Sequence, residues 1–157
     1  MSSREICVSH LTQILGGISL SNGYSLDLGS SVRRELVTME SLDDSDLDTL
    51  IVEDNGEGDA ESLQNKTGNE TAITFKVLVI GYVKKKDGDP SVTTAINRLD
   101  NALTKVVGQE ANQRVANIWV SARPSPLLGR SGSELGDYGW FIRPIEITYQ
   151  CLTSEGF

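Results

Sequence analysis

The side chains best suited to nucleophilic or acid–base chemistry are scarce in this sequence, which has one histidine and two cysteines. The single histidine, His10, excludes most zinc sites that are built on histidine pairs. Cys7 lies one helical turn before His10, so the two side chains could face each other. No nearby residue would orient the histidine as a base, which disfavours a nucleophilic dyad. Cys7 and Cys151 both fall within apolar patterns, which predicts two reduced core thiols and a protein without catalytic residues.

Two stretches have the composition of ligand-binding loops without matching a known pattern. Gly129-Arg130-Ser131-Gly132 is too short to bind a nucleotide by itself, and the sequence contains no phosphate-binding loop. The stretch from Asp54 to Glu61 places oxygen ligands at alternating positions, as calcium loops do. It lacks the EF-hand order, in which glycine is sixth and glutamate is twelfth. Both stretches are interpreted as solvated loops, so we expect no metal and no cofactor.

The negative charge is concentrated in one segment. Ten acids and no lysine or arginine lie between Glu40 and Glu61, while the rest of the chain has 12 acids and 14 bases. The net charge of −8 therefore combines −10 from this segment with +2 from the remainder. A nearly neutral remainder gives little reason to expect tight nucleic-acid binding. The sequence has no run of about 20 apolar residues and no secretion signal at its start, which predicts a protein made in the cytosol.

Two amphipathic helices are predicted. The first covers residues 3–15, with a capping box formed by Ser2 and Glu5. The second follows Asp89, which we expect to cap it, and Pro90, which we expect at its first position. Gly108 is expected to end this second helix. Its apolar stripe consists of Val92, Ala95, Ile96, Leu99, Leu103 and Val106.

Alternating apolar residues predict the strands. These cover residues 24–28 with an extension over 32–37, and then 50–52, 71–84, 115–122 and 140–152. Pro144 lacks an N–H group, which predicts a sheet edge or a bulge at that position. The order of elements predicts a single α+β domain over residues 1–157. We expect a two-layer sandwich, in which two main helices flank an antiparallel or mixed sheet.

The strand over 71–84 is unusually long, because 14 residues span about 45 Å. We expect part of it to project, with the second helix covering the face of Ile73, Phe75, Val77 and Val79. The first helix and a neighbouring subunit are expected to cover the other face. Lys84-Lys85-Lys86 is either a solvated turn or a partner contact. The acidic segment, about 40–68, is expected to be mobile over 54–68 and to face solvent or the lumen of an assembly.

The loop over 124–139 is too long for a simple hairpin, so we expect it to reach a neighbouring molecule. Together with the uncovered strand face and the lysines, it predicts a surface that contacts other subunits. The candidate contact residues are Leu78, Ile80, Tyr82, Lys84, Lys85, Lys86, Leu127, Leu128, Leu135 and Tyr138.

The order and spacing of these segments also carry a family resemblance. The first helix is followed by Asn22-Gly23-Tyr24-Ser25-Leu26-Asp27-Leu28-Gly29 and then by the basic Val32-Arg33-Arg34. Three further segments continue the pattern: Phe75-Lys76-Val77-Leu78-Val79-Ile80-Gly81-Tyr82-Val83, Ala95-Ile96-Asn97-Arg98-Leu99-Asp100-Asn101-Ala102-Leu103 and Ile142-Arg143-Pro144-Ile145-Glu146-Ile147-Thr148-Tyr149. In this order the chain resembles the tail terminator, or tail completion, proteins of tailed bacteriophages.

The resemblance implies a structural protein of the virion, assembled in the host cytoplasm. Proteins of this family form a ring, usually of six subunits, at the head-proximal end of the tail, where the ring stops growth of the tube and joins it to the head. The implied partners are further copies of the chain, the tail tube protein, the head–tail connector or neck proteins, and the sheath protein in a contractile tail. DNA would pass through the ring without specific binding.

Two other readings stay open. The first is another neck or tail subunit, such as an adaptor, a stopper or a tube protein, because these share parts of the pattern. The second is a small binding module or an enzyme of another class. A ligand-sized pocket with converging polar groups would favour that second reading.

Overall fold

A computed structural model describes residues 3–28, 31–38, 42, 48–54, 64–65, 70–109, 114–115, 118–132 and 136–152. The helices of this part are α1 (Ser3–Leu15) and α2 (Val92–Gly108), with a 3-10 helix at Leu20–Asn22. Its strands are β1 (Val32–Arg33), β2 (Thr49–Glu53), β3 (Gln64–Asn65), β4 (Glu70–Lys84), β5 (Arg114–Val115), β6 (Ile118–Pro124), β7 (Gly129–Gly132) and β8 (Tyr138–Leu152).

The described strands form one mixed sheet in the order β1-β2-β4-β8-β6-β5, with β3 beside β4 and β7 beside β8. Strands β1 and β2 run parallel, and the other described pairs are antiparallel. Strands β4 and β8 pair along their full length, from Glu70 opposite Leu152 to Lys84 opposite Tyr138. The predicted α+β class, with a mixed sheet and two main helices, is confirmed.

The core lies between the helices and one face of the sheet. Alternate residues of β4, from Ile73 to Val79, are buried there, and the predicted apolar stripe of α2 is buried throughout. The β8 side chains Phe141, Ile145 and Ile147 lie on the same face as these residues, because each faces an odd-numbered residue of β4. The prediction that α2 packs on this face of β4 is therefore confirmed.

Helix α1 packs on the same face as α2, so the expectation that it would cover the opposite face is wrong. Its residues Cys7, Leu11 and Leu15 belong to the same buried cluster as the α2 stripe. The guanidinium carbon of Arg4 lies 4.3 Å from the centre of the Phe75 ring. The amphipathic stripe of α1 fixes which side of the helix is buried, but the sequence does not fix which sheet face it meets.

Two glycines allow close approaches across this core. Gly81 lies opposite Phe141 in the β4–β8 pair, and an ideal Cβ at Gly81 would overlap three atoms of the Phe141 ring. A Cβ at Gly139 would lie 2.9 Å from Cδ1 of Ile96 and 3.1 Å from Cγ2 of Val92. The Phe141 ring therefore occupies the space that a side chain at position 81 would need. The absence of a side chain at Gly139 lets α2 approach β8 closely.

The predicted strand over 24–28 is wrong, although its burial pattern is right. Tyr24, Leu26 and Leu28 are buried, and the two residues between them are exposed. This stretch has no regular secondary structure, and none of the described strands pairs with it. Its extension is limited to β1. Alternation in a sequence reports which side chains are buried, whereas a strand also needs a hydrogen-bonded neighbour.

The start of α2 also differs from the prediction. Ser91 precedes the first helical residue, Val92, so Asp89 and Pro90 lie before the helix. Asp89 accepts hydrogen bonds from the Lys86 N–H (2.9 Å) and from the Arg98 guanidinium. The aspartate therefore stabilises the turn after β4 and ties it to α2. The predicted end of the helix at Gly108 is confirmed.

The expectation that the long strand projects from the domain is wrong over the described side chains. Strand β8 has 15 residues, as β4 does, and pairs with it throughout. The predicted strand over 115–122 is divided into β5 and β6, which pair antiparallel with each other. Both differences depend on which strands become neighbours, and that choice involves residues far apart in the sequence.

Candidate functional site

The sheet has a second face, here called the outer face, that points away from both helices. In β4 it carries Leu78, Ile80, Tyr82 and Lys84, because the odd-numbered residues point into the core. The opposite residues of β8 complete it. The cross-strand neighbours are Tyr82 and Trp140, Ile80 and Ile142, and Leu78 and Pro144. The outer face is therefore apolar near the 82–84 end of β4.

The other half of the outer face is polar. The hydroxyl groups of Thr74 and Thr148 lie 2.8 Å apart, and Arg123 Nη2 lies 2.7 Å from Glu146 Oε1. Ser121, Arg123, Glu146 and Thr148 line a shallow cleft. Arg123 is 75% exposed, so water screens this ion pair strongly. This half is a solvated surface of hydroxyl groups and charges.

Large hydrophobic side chains are exposed at the apolar end of the outer face. Among the described residues, five such side chains are exposed; Tyr138 and Trp140 lie on this face, and Leu36 and Leu128 lie in segments beside it. We call these four the apolar patch: Leu36 (58% exposed), Leu128 (66%), Tyr138 (40%) and Trp140 (36%). The fifth is Leu20 in the 3-10 helix. Clustered exposed apolar side chains are typical of interaction sites.

Contacts at neighbouring residues place the segments that carry Leu128 and Leu36 beside the outer face. Tyr138 and Trp140 are alternate residues of β8, and an ideal Cβ at Gly129 would lie 3.6 Å from the Trp140 ring. Gly129 directly follows Leu128. The Tyr82 hydroxyl donates a hydrogen bond to the carbonyl oxygen of Val37 (3.0 Å), which holds the segment carrying Leu36 next to Tyr82.

The centre of the outer face is covered by the chain itself, which corrects part of the predicted contact set. Ile80 is 9% exposed and its neighbour Ile51 is fully buried, although neither belongs to the main core. Leu78 is partly buried, and the hydroxyl of Tyr82 is bonded within the chain. Of the three strand residues expected to meet a neighbour, Ile80 is therefore unavailable.

The lysines lie beside the apolar patch. Lys84 faces Tyr138 across the strand pair, and its Nζ is 5.7 Å from the centre of the Tyr138 ring. The Lys85 N–H donates to the carbonyl oxygen of Asp137 (2.6 Å), which fixes the end of β4 to the start of β8. Lys86 is half exposed, and its Nζ lies 3.4 Å from the Asp48 carboxylate. Of the three predicted lysines, Lys84 lies against Tyr138, Lys85 is bonded through its backbone to Asp137, and Lys86 pairs with Asp48.

Part of the predicted long loop forms strand β7 against β8, and the expectation that the loop reaches a neighbouring molecule stays a prediction. Strand β6 ends with Pro124 opposite Ile145, and β7 begins with Gly129 opposite Ile142. Residues 125–128 therefore lie opposite only two residues of β8, and the surplus forms a bulge. Leu127 packs against the core, whereas Leu128 points to solvent. The predicted contact residue Leu135 lies outside the described residues.

Pro144 fits this bulge. Its carbonyl oxygen accepts a hydrogen bond from the Ser125 N–H (2.8 Å), and its ring nitrogen faces the same border of β8. The backbone N–H that Pro144 lacks would therefore point at the gap between the end of β6 and the start of β7. The position is inside the sheet, beside β4, and the interruption is in the neighbouring strand.

Sequence reasoning did not identify Trp140 and Leu36 as exposed residues of the apolar patch. The signal for Trp140 was available, because it precedes the core residue Phe141 in an alternating strand and must point outward. No comparable signal marks Leu36. Its place in the apolar patch depends on the hydrogen bond between Val37 and Tyr82, which are 45 positions apart.

The two groups considered for chemistry lie in different environments. Cys7 is 1% exposed in the core, whereas His10 lines a surface cleft with Gln13, Tyr24 and Gln109. In that cleft Gln109 Nε2 donates to the Tyr24 hydroxyl (3.2 Å). Within the described ranges, no three His, Cys, Asp or Glu side chains come together as a possible metal site.

Two ion pairs hold the first turn of α1. The Arg4 guanidinium bonds both carboxylate oxygens of Asp54, at 2.6 and 2.9 Å, and Arg34 lies 2.7 Å from Glu5. The hydrogen bond from Arg34 holds the pKa of the Glu5 carboxyl below its ordinary value. The pKa of Asp89 is also lowered, mainly by its hydrogen bond from Arg98. Of the acidic segment, most residues lie outside the described part, including 55–63 and 66–69.

No protein-family model matches the chain, and no curated protein is similar to it. In the part of the chain that the structure describes, no helix is long and apolar enough to cross a membrane.

Proposed function

We propose that the chain is a structural subunit of a bacteriophage tail that assembles into a ring and terminates the tail tube. The observation that carries this proposal is the apolar patch, in which Tyr138 and Trp140 are exposed on the sheet face without helices and Leu36 and Leu128 are exposed in segments beside it. The sequence resemblance to tail terminators supplies the kind of assembly. The proposal includes no catalytic step.

Burial of the apolar patch would stabilise a contact between subunits. Apolar area removed from water contributes roughly 25 cal/mol per Å², so four large side chains contribute on the order of several kcal/mol. A ring closes when one contact repeats by a fixed rotation, and each subunit then uses two different surfaces. The apolar patch is one of them. Every interface gains the same energy, so weakening the apolar patch once weakens the whole ring.

The proposed partners are further copies of the chain, the tail tube protein and the neck proteins, with the sheath protein added in a contractile tail. DNA would pass through the ring. The near-neutral charge outside the acidic segment supports passage without tight binding, since few phosphates would be neutralised.

The test is the mass of the protein in solution, alone and with a tail tube protein. We expect a ring in at least one of these conditions. Leu128→Ser and Trp140→Ser each remove part of the apolar patch and should shift the protein to a folded monomer. Leu20→Ser is the matched control, because Leu20 is 61% exposed, close to the 66% of Leu128, but lies in the 3-10 helix. A wild type that stays monomeric in both conditions, or patch variants that form rings as readily as the control, would refute the proposal.

A different experiment separates a terminator from an adaptor or stopper. Complementation of a phage that lacks this protein with the Leu128→Ser variant should give abnormally long tails if the ring stops tube growth. Tails of normal length that fail to join heads would instead identify a neck subunit. Electron micrographs of the lysates distinguish the two results.

Shortening the loop over 127–138 is a poorer test than a point substitution. That deletion would remove β7, which pairs with β8, and Leu127, which packs against the core. We therefore expect such a deletion to lower the stability of the fold itself.

A further inference from the structure

We propose that the cleft between the C-terminal ends of the two helices is a binding site for an uncharged saccharide. This cleft, here called the helix-end cleft, is the one that His10 lines, and its volume is about 500 Å³. It lies on the helix side of the sheet, whereas the apolar patch lies on and beside the outer face. The inference therefore goes beyond the proposed function and is tested independently of it.

Three parts of the chain build the helix-end cleft. Helix α1 contributes its C-terminal half, α2 contributes its end, and the turn after α1 contributes Asn22 and Tyr24. Asn22 Nδ2 donates a hydrogen bond to the carbonyl oxygen of Gly17 (2.8 Å), which closes the turn. The bond from Gln109 Nε2 to the Tyr24 hydroxyl ties the end of α2 to the same turn.

The turn after α1 is held by its own contacts. Gly23 has a φ of 88°, a left-handed conformation that favours glycine, and its N–H donates to the carbonyl oxygen of Leu20 (3.1 Å). The Tyr24 N–H donates to the carbonyl oxygen of Ser19 (3.1 Å). Lys105 of α2 lies over the Tyr24 ring, with its Nζ 5.0 Å from the ring centre. The helix-end cleft is therefore preformed, which lowers the entropy cost of binding a ligand.

The polar groups that line the helix-end cleft can both donate and accept hydrogen bonds. Three of them are side-chain amides, those of Gln13, Asn22 and Gln109. The Tyr24 hydroxyl and the His10 imidazole, which has one donor and one acceptor when neutral, complete the set. The described lining includes no aspartate, glutamate, lysine or arginine. A charged ligand would lose water there without meeting an opposite charge, so the matching ligand is uncharged.

A saccharide fits this lining better than a peptide does. Each sugar hydroxyl donates one hydrogen bond and accepts others, and one sugar ring carries several hydroxyls close together, as the amides of the cleft are. A peptide backbone offers one donor and one acceptor per residue, spread along a chain. The apolar part of the lining, which includes Ile14 and Val106, can contact the C–H groups of the sugar ring. A few polar groups on an apolar wall are typical of small-molecule sites.

The test follows the side-chain NH₂ signals of isotopically labelled protein by NMR. The probes are D-glucose, D-galactose and N-acetyl-D-glucosamine, each added up to about 50 mM. We expect at least one of them to shift the signals of Gln13, Asn22 and Gln109 in a saturable way. The dissociation constant should be in the millimolar range, because a ligand of this size has few atoms to contribute. The signals of Asn97 and Asn101, exposed amides of α2 outside the cleft lining, should not move.

Gln13→Ala removes one amide of the lining and should weaken binding about fivefold, the effect of one lost hydrogen bond. Asn101→Ala is the matched control, because both residues are exposed helical amides and only Gln13 lines the helix-end cleft. The control should bind the sugar as the wild type does. Thermal unfolding of both variants checks that each is folded.

Several results would overturn the inference. One is the absence of saturable shifts at the three cleft amides with every probe, and another is equal weakening by Gln13→Ala and Asn101→Ala. Tighter binding of glucose 6-phosphate than of glucose would assign the cleft to anions beside Lys105. Tighter binding of N-acetylalanine methylamide would assign it to a peptide backbone. The Leu128→Ser variant should bind sugar as the wild type does, so loss of the ring and loss of the saccharide site are observed separately.

Discussion

Gly81→Ala tests how closely the two central strands pack. Phe141 lies opposite Gly81 and is fully buried, and an added Cβ would overlap three atoms of its ring, the farthest at 2.8 Å. Overpacking of a core costs about 1–3 kcal/mol, and the overlap with a fixed ring favours the upper end. Removing a glycine from a strand returns roughly 0.5–1 kcal/mol. We expect a net loss of about 2 kcal/mol in the free energy of unfolding.

The assay is urea denaturation of wild type, Gly81→Ala, Phe141→Leu and the double variant. Because the penalty arises from the ring, Gly81→Ala should cost much less in the Phe141→Leu background, and the coupling should be on the order of 2 kcal/mol. Gly108→Ala is the control, since a Cβ there meets nothing within 4 Å. A Gly81→Ala protein as stable as the wild type, or an equal loss in both backgrounds, would show that Phe141 does not pack on Gly81.

Three further changes follow from the core and its ion pairs. Val77→Asp buries an unpaired charge and should lower the free energy of unfolding by several kcal/mol in urea denaturation. A soluble variant as stable as the wild type would show that Val77 does not face the core. The Arg143 guanidinium donates hydrogen bonds to the Asp100 carboxylate at 2.6 and 3.0 Å. Asp100→Ala removes that carboxylate and should lower the free energy of unfolding by about 3–5 kcal/mol in the same assay. A loss below about 1 kcal/mol would contradict the pairing. The pKa of Asp89 is lowered in the folded protein, so its ionised carboxylate stabilises the fold. This stabilisation is complete above the ordinary aspartate pKa and is lost as the pH falls through the lowered pKa. Asp89→Asn should therefore be less stable than wild type at neutral pH and equal to it in strong acid, and a constant difference across a pH series would contradict the role of Arg98.

The sequence predicts the elements whose signals are local. The stripe from Val92 to Val106 identifies α2, and the alternation from Ile73 to Val83 identifies β4, because each pattern repeats within one element. The two-layer class follows from the order of the elements. The apolar end of the outer face could be predicted in part, since Tyr138 and Leu128 stand among the expected contacts.

What the sequence could not predict depends on residues distant along the chain. Asp89 lies just before a helix and is a residue type that often caps helices. Its carboxylate instead accepts a hydrogen bond from Arg98, which lies inside α2. The segment after β6 contains strand β7 because β6 leaves residues 139–142 of β8 without a partner on that side. Ile80 is expected as a contact residue from its alternation, yet it is buried beside Ile51 of β2, a strand about 30 positions away in the sequence. Each of these outcomes is decided by tertiary neighbours that local patterns do not report.

The bulge over 125–128 has a consequence for how the protein can fail. A sheet border with unpaired backbone groups can add a strand from another chain, which leads to aggregation. Strand β6 pairs with β8 through five residues, Val120–Pro124, and β7 pairs with β8 through all four of its residues, but the two registers differ by two residues. A straight incoming strand could match one of these runs and would lose alignment with the other. The protein could therefore be concentrated with little tendency to polymerise through this border.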